Sequence, residues 1–586
     1  MEIILYVFIF FYPLFMAVYW MTGAILFFNR LESRGQKPPK LKNHPKISIV
    51  VPCHNEQTSI RDAIGQLDKN NYPDFEIIAV NDGSTDSTGE ILYNLSQKMD
   101  RLKVVNLTQN CGKAMALKSG VLASSAEFIM CIDADALLDQ DALFWMIRHF
   151  QNGPRVGAVT GNPRVINKTN LLSRIQIGEF SAIIGMIKRT QREIGRIFTV
   201  SGVNACFRKS ALHDVGYWSS ETVTEDIDIS WKLQLRYWDI RYEPQALTWI
   251  LVPDTIKTLW AQRLRWAQGG FEAATKYWRD ILKWKNRRMW IVSLEYWVTL
   301  LWCYALGFTF ICFAGTHLAP EGSWPEVLRI QSMIPGWTGV ALAVVCLIQF
   351  TVGLFLDGLY ERRGLFRYLF WAIWYPVVFW LIAAATNIVA VPKGLMKKGK
   401  TRRAVWVSPT RKLLYQPVSL GDLRKKNQHR HFFRQIIPKT KKVFEATITI
   451  ISWSLWVYLV TPLVSLGVWG LSAWLFMDRM ITPGSYETFA KAANYTAIIL
   501  TMWLLLAVWI LWNRQRYGRR NRNRRKNSLP DVTAKQLSEA MGVSIDDITS
   551  IKLHNNVYLH YDENDAIVVE NLENSYEEEN VVAMNR

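Results

Sequence analysis

Two kinds of hydrophobic patterning alternate along the chain. Residues 3–28 are apolar almost without interruption, long enough to cross a bilayer as a helix. They lack the basic start and small-residue cleavage site of a removable leader. Residues 46–288 contain no run of that length. Short β-branched stretches occur instead at 46–51 (KISIVV), 75–80 (FEIIAV), 104–107 and 128–132, with helix-like stretches such as 57–67 and 88–98 between them. Alternation of strand and helix predicts a parallel sheet covered on both faces. In open sheets of that kind, ligands bind at the carboxyl ends of the strands.

Three apolar segments follow, near 289–314, 336–356 and 367–391, and then a basic stretch, 393–442, carrying Arg402, Arg403, Arg424, Lys425, Lys426, Arg430 and Lys441. Two further spans are expected at about 447–476 and 493–512, with an arginine-rich run at 514–526 directly behind them. Residues 529–570 read as a small soluble domain, with a helix at 534–541 and two short strands within 556–569; the acidic tail from about 571 is expected to be disordered. The chain therefore divides into an N-terminal span (1–30), a soluble α/β domain (46–288), a transmembrane region (289–392), a basic linker (393–446), a two-span hairpin (447–513) and a C-terminal region (514–586).

Arg30, Arg34, Lys37, Lys40, Lys42 and Lys46 follow the first span, so the positive-inside rule puts everything from residue 29 on the cytoplasmic side. The soluble domain and the 393–442 stretch should then share one side, although three apolar segments separate them. An odd number of crossings cannot do that. The expected resolution is that 367–391 enters and returns, broken near Pro376. A misread basic loop is the rival.

Composition sharpens this picture. Half of the 586 residues are hydrophobic and 26 are Trp, while 20% are charged, a mixture that fits soluble stretches interrupted by spans. The net charge of +20 would suit nucleic acid, but the densest basic runs flank apolar segments and read as topology signals or as holders of anionic lipid or ligand. Seven scattered cysteines without CxxC spacing point to reduced thiols.

Moving a sugar off a nucleotide diphosphate takes a divalent metal against the departing diphosphate, a carboxylate to deprotonate the acceptor and donors to hold the nucleotide. Asp82, in Asn81-Asp82-Gly83-Ser84, could accept from a base or ribose, or simply close an Asx-turn. Asp133 and Asp135 suit a hard cation such as Mg²⁺ (or Mn²⁺), or stand as two solvated turn carboxylates. In Thr224-Glu225-Asp226, Asp226 is the base of choice, though a helix cap would look the same; burial or Glu225 would have to tune it. Gln262, Arg265 and Trp266 share one helical face, where Arg can clamp a diphosphate and Trp can stack on a sugar. An amphipathic helix on the membrane surface would read alike. Lys113 is a further diphosphate contact, or a solvated loop charge.

In this order, V-P-C-H-N-E at 51–56, N-D-G-S at 81–84, D-A-D at 133–135, T-E-D at 224–226 and Q-R-L-R-W at 262–266 resemble the processive family 2 glycosyltransferases. VGAVTGNPRV at 156–165, VTEDIDISWKLQL at 223–235, QRLRWAQGG at 262–270 and W-V-S-P at 406–409 are similar to the bacterial poly-β-1,6-N-acetylglucosamine synthases among them. The resemblance covers roughly residues 1–412. It implies an α/β GT-A (Rossmann-like) catalytic domain joined to an α-helical transmembrane region, in a multi-pass protein of the bacterial inner membrane with its catalytic domain cytoplasmic. Pro52, Asn55, Glu56 and Asp82 would line the nucleotide pocket, and Lys113 would approach the diphosphate. Asp133 and Asp135 would lie at the phosphates and metal, Asp135 as the direct ligand. Asp226, beside Glu225, would be the base. Gln262, Arg265 and Trp266 would hold the diphosphate and the acceptor end. The donor would be UDP-N-acetylglucosamine and the product a growing biofilm exopolysaccharide.

Beyond residue 412 the chain is similar to the small two-span partner subunit of the same synthases, fused here in one polypeptide. That implies control by cyclic di-GMP, held at basic residues of 411–442 and 514–526, with outer-membrane export partners. Topology signals alone would also explain those residues. Two other functions stay open, transfer of one sugar to a lipid carrier and a catalytically dead, cyclic-dinucleotide-responsive scaffold. The multiple spans and the Q-x-x-R-W element favour polymerisation, and the intact acidic set speaks against a dead enzyme.

Overall fold

A computed structural model describes residues 2–32, 37–168, 170–320, 323–330, 337–361, 364–397, 440–441, 443–458, 531–562 and 565–570, with isolated positions between 497 and 508. Most of the expected basic linker and hairpin, the 514–526 run, the W-V-S-P stretch and the acidic tail lie outside the described residues.

The chain opens with helix α1 (Glu2–Leu31). The α/β region then runs β1 (Ile47–Cys53), α2 (Ile60–Leu67), β2 (Phe75–Asp82), α3 (Thr88–Ser96), β3 (Leu102–Leu107), α4 (Lys113–Ala123), β4 (Phe128–Cys131) and β5 (Leu137–Leu138). It continues through α5 (Ala142–Gln151), β6 (Val156–Val165), α6 (Leu171–Glu179), α7 (Met186–Ile194), β7 (Ala205–Arg208), α8 (Lys209–Asp214), α9 (Glu225–Leu235), β8 (Asp239–Ile250) and α10 (Ile256–Leu282). Then come α11 (Trp290–Leu318), α12 (Trp337–Gly358), α13 (Leu369–Ala372), α14 (Tyr375–Lys397) and α15 (Val443–Tyr458). The C-terminal segment supplies α16 (Ala534–Met541), α17 (Ile545–Leu553), β9 (Asn556–Tyr561) and β10 (Ile567–Glu570).

One sheet of ten strands runs β10-β9-β3-β2-β1-β4-β7-β6-β8-β5. Strands β3, β2, β1 and β4 are mutually parallel, as the β-α alternation predicts, and β7 is antiparallel to both neighbours. The unbroken hydrophobic strands serve both faces at once. Ile47, Ile49 and Val51 pack with Ile60, Ile64 and Leu67 of α2 and Ile147 of α5. Val50, Ile78 and Val80 point the other way, to Leu117 and Val121 of α4 and Ile229 of α9. All seven cysteines are buried, and none forms a disulfide.

The C-terminal segment corrects the expectation of a separate small domain. Its helix and two strands stand where the pattern predicts them, but β9 pairs in parallel with β3 and so extends the catalytic sheet. Leu537, Ile548, Ile551, Leu559 and Tyr561 belong to the same core as Val105, Leu107 and Met115.

Among the described residues, four helices are long and apolar enough to cross a membrane, within Leu5–Leu31, Trp284–Leu318, Ala341–Gly358 and Val378–Met396. A buried ionic network joins α1 and α12 to the sheet domain. Arg189 of α7 meets Glu32 at 2.5 Å and Asp357 at 2.8 Å, and Arg164 of β6 reaches Asp357 at 2.5 Å and Glu361 at 3.2 Å. Lys168 also pairs with Glu361, and the Tyr360 hydroxyl donates to Glu32. A turn at 373–374 separates α13 from α14, and α14, with Pro376 in its first turn, runs without interruption to Lys397. Both ends of α14 stay near α10. Tyr375 shares a cluster with Leu259, and Gly394 lies so close to Phe271 that a Cβ would stand 2.6 Å from the ring. Helix α15 begins beside α6, where Glu445 lies 3.5 Å from Arg174.

Candidate active site

The loops leaving the carboxyl ends of β1, β2, β3 and β4 form one rim, where sheet geometry places ligands. Pro52 lies inside β1, opposite Val80 of β2. Asn55 takes a left-handed φ of 55°, which Asn tolerates. Its Oδ1 accepts from Thr85 N at 2.8 Å, and its own N–H donates to Ser84 Oγ at 3.0 Å. Glu56 accepts from Ser59 Oγ at 2.7 Å while its N–H donates to Thr88 Oγ1 at 2.8 Å. These contacts clamp the β1 and β2 loops together.

Asp82 departs from its expected part. It is fully buried, and its two oxygens accept from the N–H groups of Cys111 (2.7 Å) and Gly112 (2.9 Å). Burial raises its pKa, and the two N–H bonds oppose that rise. The carboxylate therefore shapes the pocket by fixing the loop after β3 rather than by standing open to a base or ribose. Gly83 makes the approach feasible. Its φ is +56°, and a Cβ would fall 2.4 Å from the backbone of Gln109.

That loop delivers Lys113, the first residue of α4, into a cluster of carboxylates. Its Nζ lies 2.6 Å from Asp133 and 3.1 Å from Glu225. Asp133, Glu225 and Asp226 raise the lysine pKa against the opposing effect of burial, so it remains protonated. Asp135 sits two residues from Asp133, half-buried between the buried Ala134 and Ala136.

Glu225 and Asp226 open α9, behind Thr224 as N-cap. Asp226 Oδ1 accepts from Ile227 N at 2.9 Å, and Oδ2 accepts from Gly202 N at 3.3 Å. Thr224 rather than Asp226 is the N-cap, so the first contact lies within the opening turn of α9, and the second belongs to the cleft. Burial and then Glu225 push Asp226 up to about 6. Glu225 goes the other way, because Lys113 and Arg265 together outweigh its burial. The same neighbourhood thus separates two adjacent carboxyls into an ordinary anion and a group able to exchange a proton near neutrality.

Helix α10 covers this cluster. Gly269 permits the approach, since a Cβ there would sit 1.9 Å from Thr224 Oγ1. Gln262, Arg265 and Trp266 lie one turn apart on α10, Gln262 and Trp266 half-buried and Arg265 exposed. Arg265 is close enough to lower the pKa of both Glu225 and Asp226.

Several residues escape a reading of the sequence. Arg263 donates to Glu179 at 2.7 Å and stacks on the Trp266 ring at 4.1 Å, holding the indole in place. Ser201 and Gly202 form the wall beneath Asp226, and Gly202 O accepts from Lys113 Nζ at 3.4 Å. Lys188 is buried behind them, donating to Ser201 Oγ at 2.6 Å and Thr160 Oγ1 at 3.3 Å, and burial brings it down to about 7. In the sequence Ser201 and Gly202 are only a pair of small residues, which by itself points to no role.

Among the described residues no three His, Cys, Asp or Glu side chains gather into a metal cage. Three carboxylates, Asp133, Glu225 and Asp226, stand against two cations, Lys113 and Arg265. An acidic surplus of oxygen donors suits a hard divalent cation whose shell is completed by phosphate and water.

A family model described as glycosyl transferase family group 2 matches residues 128–383. One described as PgaD-like protein matches 433–568. A poly-beta-1,6-N-acetyl-D-glucosamine synthase of Staphylococcus epidermidis is 41% identical over 409 residues, covering 69% of this chain and 98% of the relative. A synthase of the same description from Staphylococcus aureus is 40% identical over 408 residues, with the same coverage. Among solved structures, a mannosyltransferase of Pyrobaculum calidifontis in complex with GDP-Man and Mn²⁺ aligns with a TM-score of 0.48 at 20% identity. That alignment covers 68% of this chain and 98% of the other.

Proposed function

This chain belongs to the poly-beta-1,6-N-acetyl-D-glucosamine synthases, membrane glycosyltransferases of family 2, and on that footing we propose that it extends a β-1,6-linked polysaccharide from UDP-N-acetylglucosamine. The observation that carries the reading is the convergence of Lys113, Asp133, Glu225 and Asp226 at one point under α10. Asp226 takes the proton from the acceptor hydroxyl, whose oxygen attacks the anomeric carbon as the bond to UDP breaks. A pKa near 6 leaves it ionised at neutral pH and basic enough to accept that proton. One displacement with one base inverts the anomeric centre, as a β-linkage from an α-linked donor requires.

Negative charge grows on the departing diphosphate. Lys113, protonated and held by two carboxylates, meets it without reorganising. Arg265 offers a two-pronged donor from the other wall. Mg²⁺ or Mn²⁺, bound at Asp135 with Asp133 beside it, would neutralise the same diphosphate. Glu225 keeps Lys113 charged and raises Asp226. Trp266, steadied by Arg263, presents the flat face that a sugar ring stacks on. Pro52, Asn55 and Glu56 line the nucleotide end, and Asp82 acts through the loop it fixes.

The domain lies on the cytoplasmic side of a bacterial inner membrane. Crossing by α11 and α12, with α14 lying beside α10 rather than crossing, makes the number of crossings between α10 and α15 even, in keeping with Glu445 beside Arg174. Passage of the polymer across the bilayer toward outer-membrane partners, and control by cyclic di-GMP at basic residues of 411–442 and 514–526, complete the proposal. Purified full-length protein with radiolabelled UDP-N-acetylglucosamine and Mg²⁺ should give long material that a β-1,6-hexosaminidase degrades. A lipid bearing a single sugar, or no turnover, would defeat the reading.

A further inference from the structure

We infer that the C-terminal segment 531–570 is a positioning element of the nucleotide-sugar site, with His560 and Tyr561 bracing the loop that carries Lys113; this rests on the transferase reading above. The argument starts at β3. Its last four residues pair with β9, Val104 with Asn556 through Leu107 with Leu559. The pairing continues past the end of β3, into the loop itself. Thr108 N donates to Leu559 O at 3.3 Å, Thr108 Oγ1 lies 2.7 Å from His560 Nδ1, and Gln109 Nε2 reaches Tyr561 O at 3.4 Å. Two residues later the Cys111 and Gly112 amides meet Asp82, and Lys113 follows. The loop is therefore strapped on both sides, by Asp82 from the catalytic sheet and by β9 from the far end of the chain.

Helix α4, which Lys113 begins, is braced as well. The Tyr561 hydroxyl lies 2.8 Å from Ser119 Oγ in a buried contact, and Ile548 and Ile551 of α17 share a core with Ala114, Met115 and Leu117. The segment also touches the opposite wall of the cleft. Ser220, four residues before Thr224, donates to Asp565 at 3.0 Å. One short module thus contacts both the strand-end loop that presents the lysine and the stretch leading into Glu225 and Asp226.

Covering the bare edge of β3 would need only backbone pairing. Bonds that run on into residues 108–109 and down to the middle of α4 do something more. A loop already fixed pays no ordering cost when the donor arrives, so the module acts on donor affinity rather than on the chemical step. A merely structural role would lower the amount of active enzyme and leave KM unchanged.

The test uses the full-length chain in detergent with Tyr561→Phe and His560→Ala, singly and together. Neither change touches the β9 backbone, and Ser119 keeps its bond to Met115 O. The double variant should raise both KM for UDP-N-acetylglucosamine and the calorimetric Kd for UDP by about fivefold, with kcat within twofold of wild type. Leu553→Ala, on the exposed end of α17, should change neither. Unaltered KM and Kd in the double variant, or a fall in kcat alone, overturns the inference. So does failure of the wild-type chain to bind UDP. If the wild type binds UDP but makes no polymer, the transferase reading fails and the UDP affinities of the variants still decide the bracing role.

Discussion

Asp226 and Glu225 are neighbours in sequence with opposite titration behaviour, and the difference should be visible in kinetics. Below about 6 Asp226 holds a proton and cannot take one. The rate should therefore fall about tenfold per pH unit on the acid side. Glu225→Gln removes a charge that raises Asp226 and frees Lys113 to act on it, so the acid limb should move to lower pH. Asp226→Asn should cut synthesis by about 10²–10⁴-fold while the calorimetric affinity for UDP stays near that of wild type. A near-normal rate in that variant would move the base elsewhere. The acidic residues were legible beforehand because each sits in a short motif at a strand or helix end. Gly202 and Arg263 were not, because their importance lies in contacts across the fold, Gly202 N with Asp226 and the Arg263 guanidinium with Trp266. Asp82 was legible as a site residue but not as a buried tether, since only the folded loop reveals what its oxygens accept.

Helix α10 shows how one missing side chain can set a distance between elements. Gly269 lets α10 close on Thr224, and a methyl group there would overlap Oγ1 at 1.9 Å. Gly269→Ala should part α10 from α9, costing about 1–3 kcal/mol of stability and most of the activity, read as thermal unfolding and sugar incorporation on the same preparation. Hydrophobic periodicity predicted β1 to β4 well, since each is a short, largely apolar run bounded by turn residues. It also located β9 and β10. What it could not supply was the partner of β9. The strand alternates half-buried and buried residues, which a free-standing hairpin would do as readily. Its mate, β3, lies some 450 residues earlier, as the bond between Asn106 and Asn556 records. Non-local pairing of that kind leaves no periodic trace.

The catalytic body and the membrane helices behave as one unit because charges seal their junction. Arg164, Arg189 and Lys168 face Glu32, Asp357 and Glu361, three of each sign, at the ends of α1 and α12. Removing one partner strands its buried neighbours, so Arg189→Met should cost about 3–5 kcal/mol, seen as a lower midpoint of thermal unfolding in detergent. A loss below about 1 kcal/mol would mean that water reaches the network.

The β3–β9 pairing also bears on what happens when the polypeptide is cut. Because β9 is stitched into the sheet that the first strands began, the C-terminal strands are held to the catalytic body by more than the peptide chain that leads to them. A protease nick between α15 and α16 should not shed them. The two pieces should migrate together through gel filtration and separate only in denaturant, as a heterodimer would.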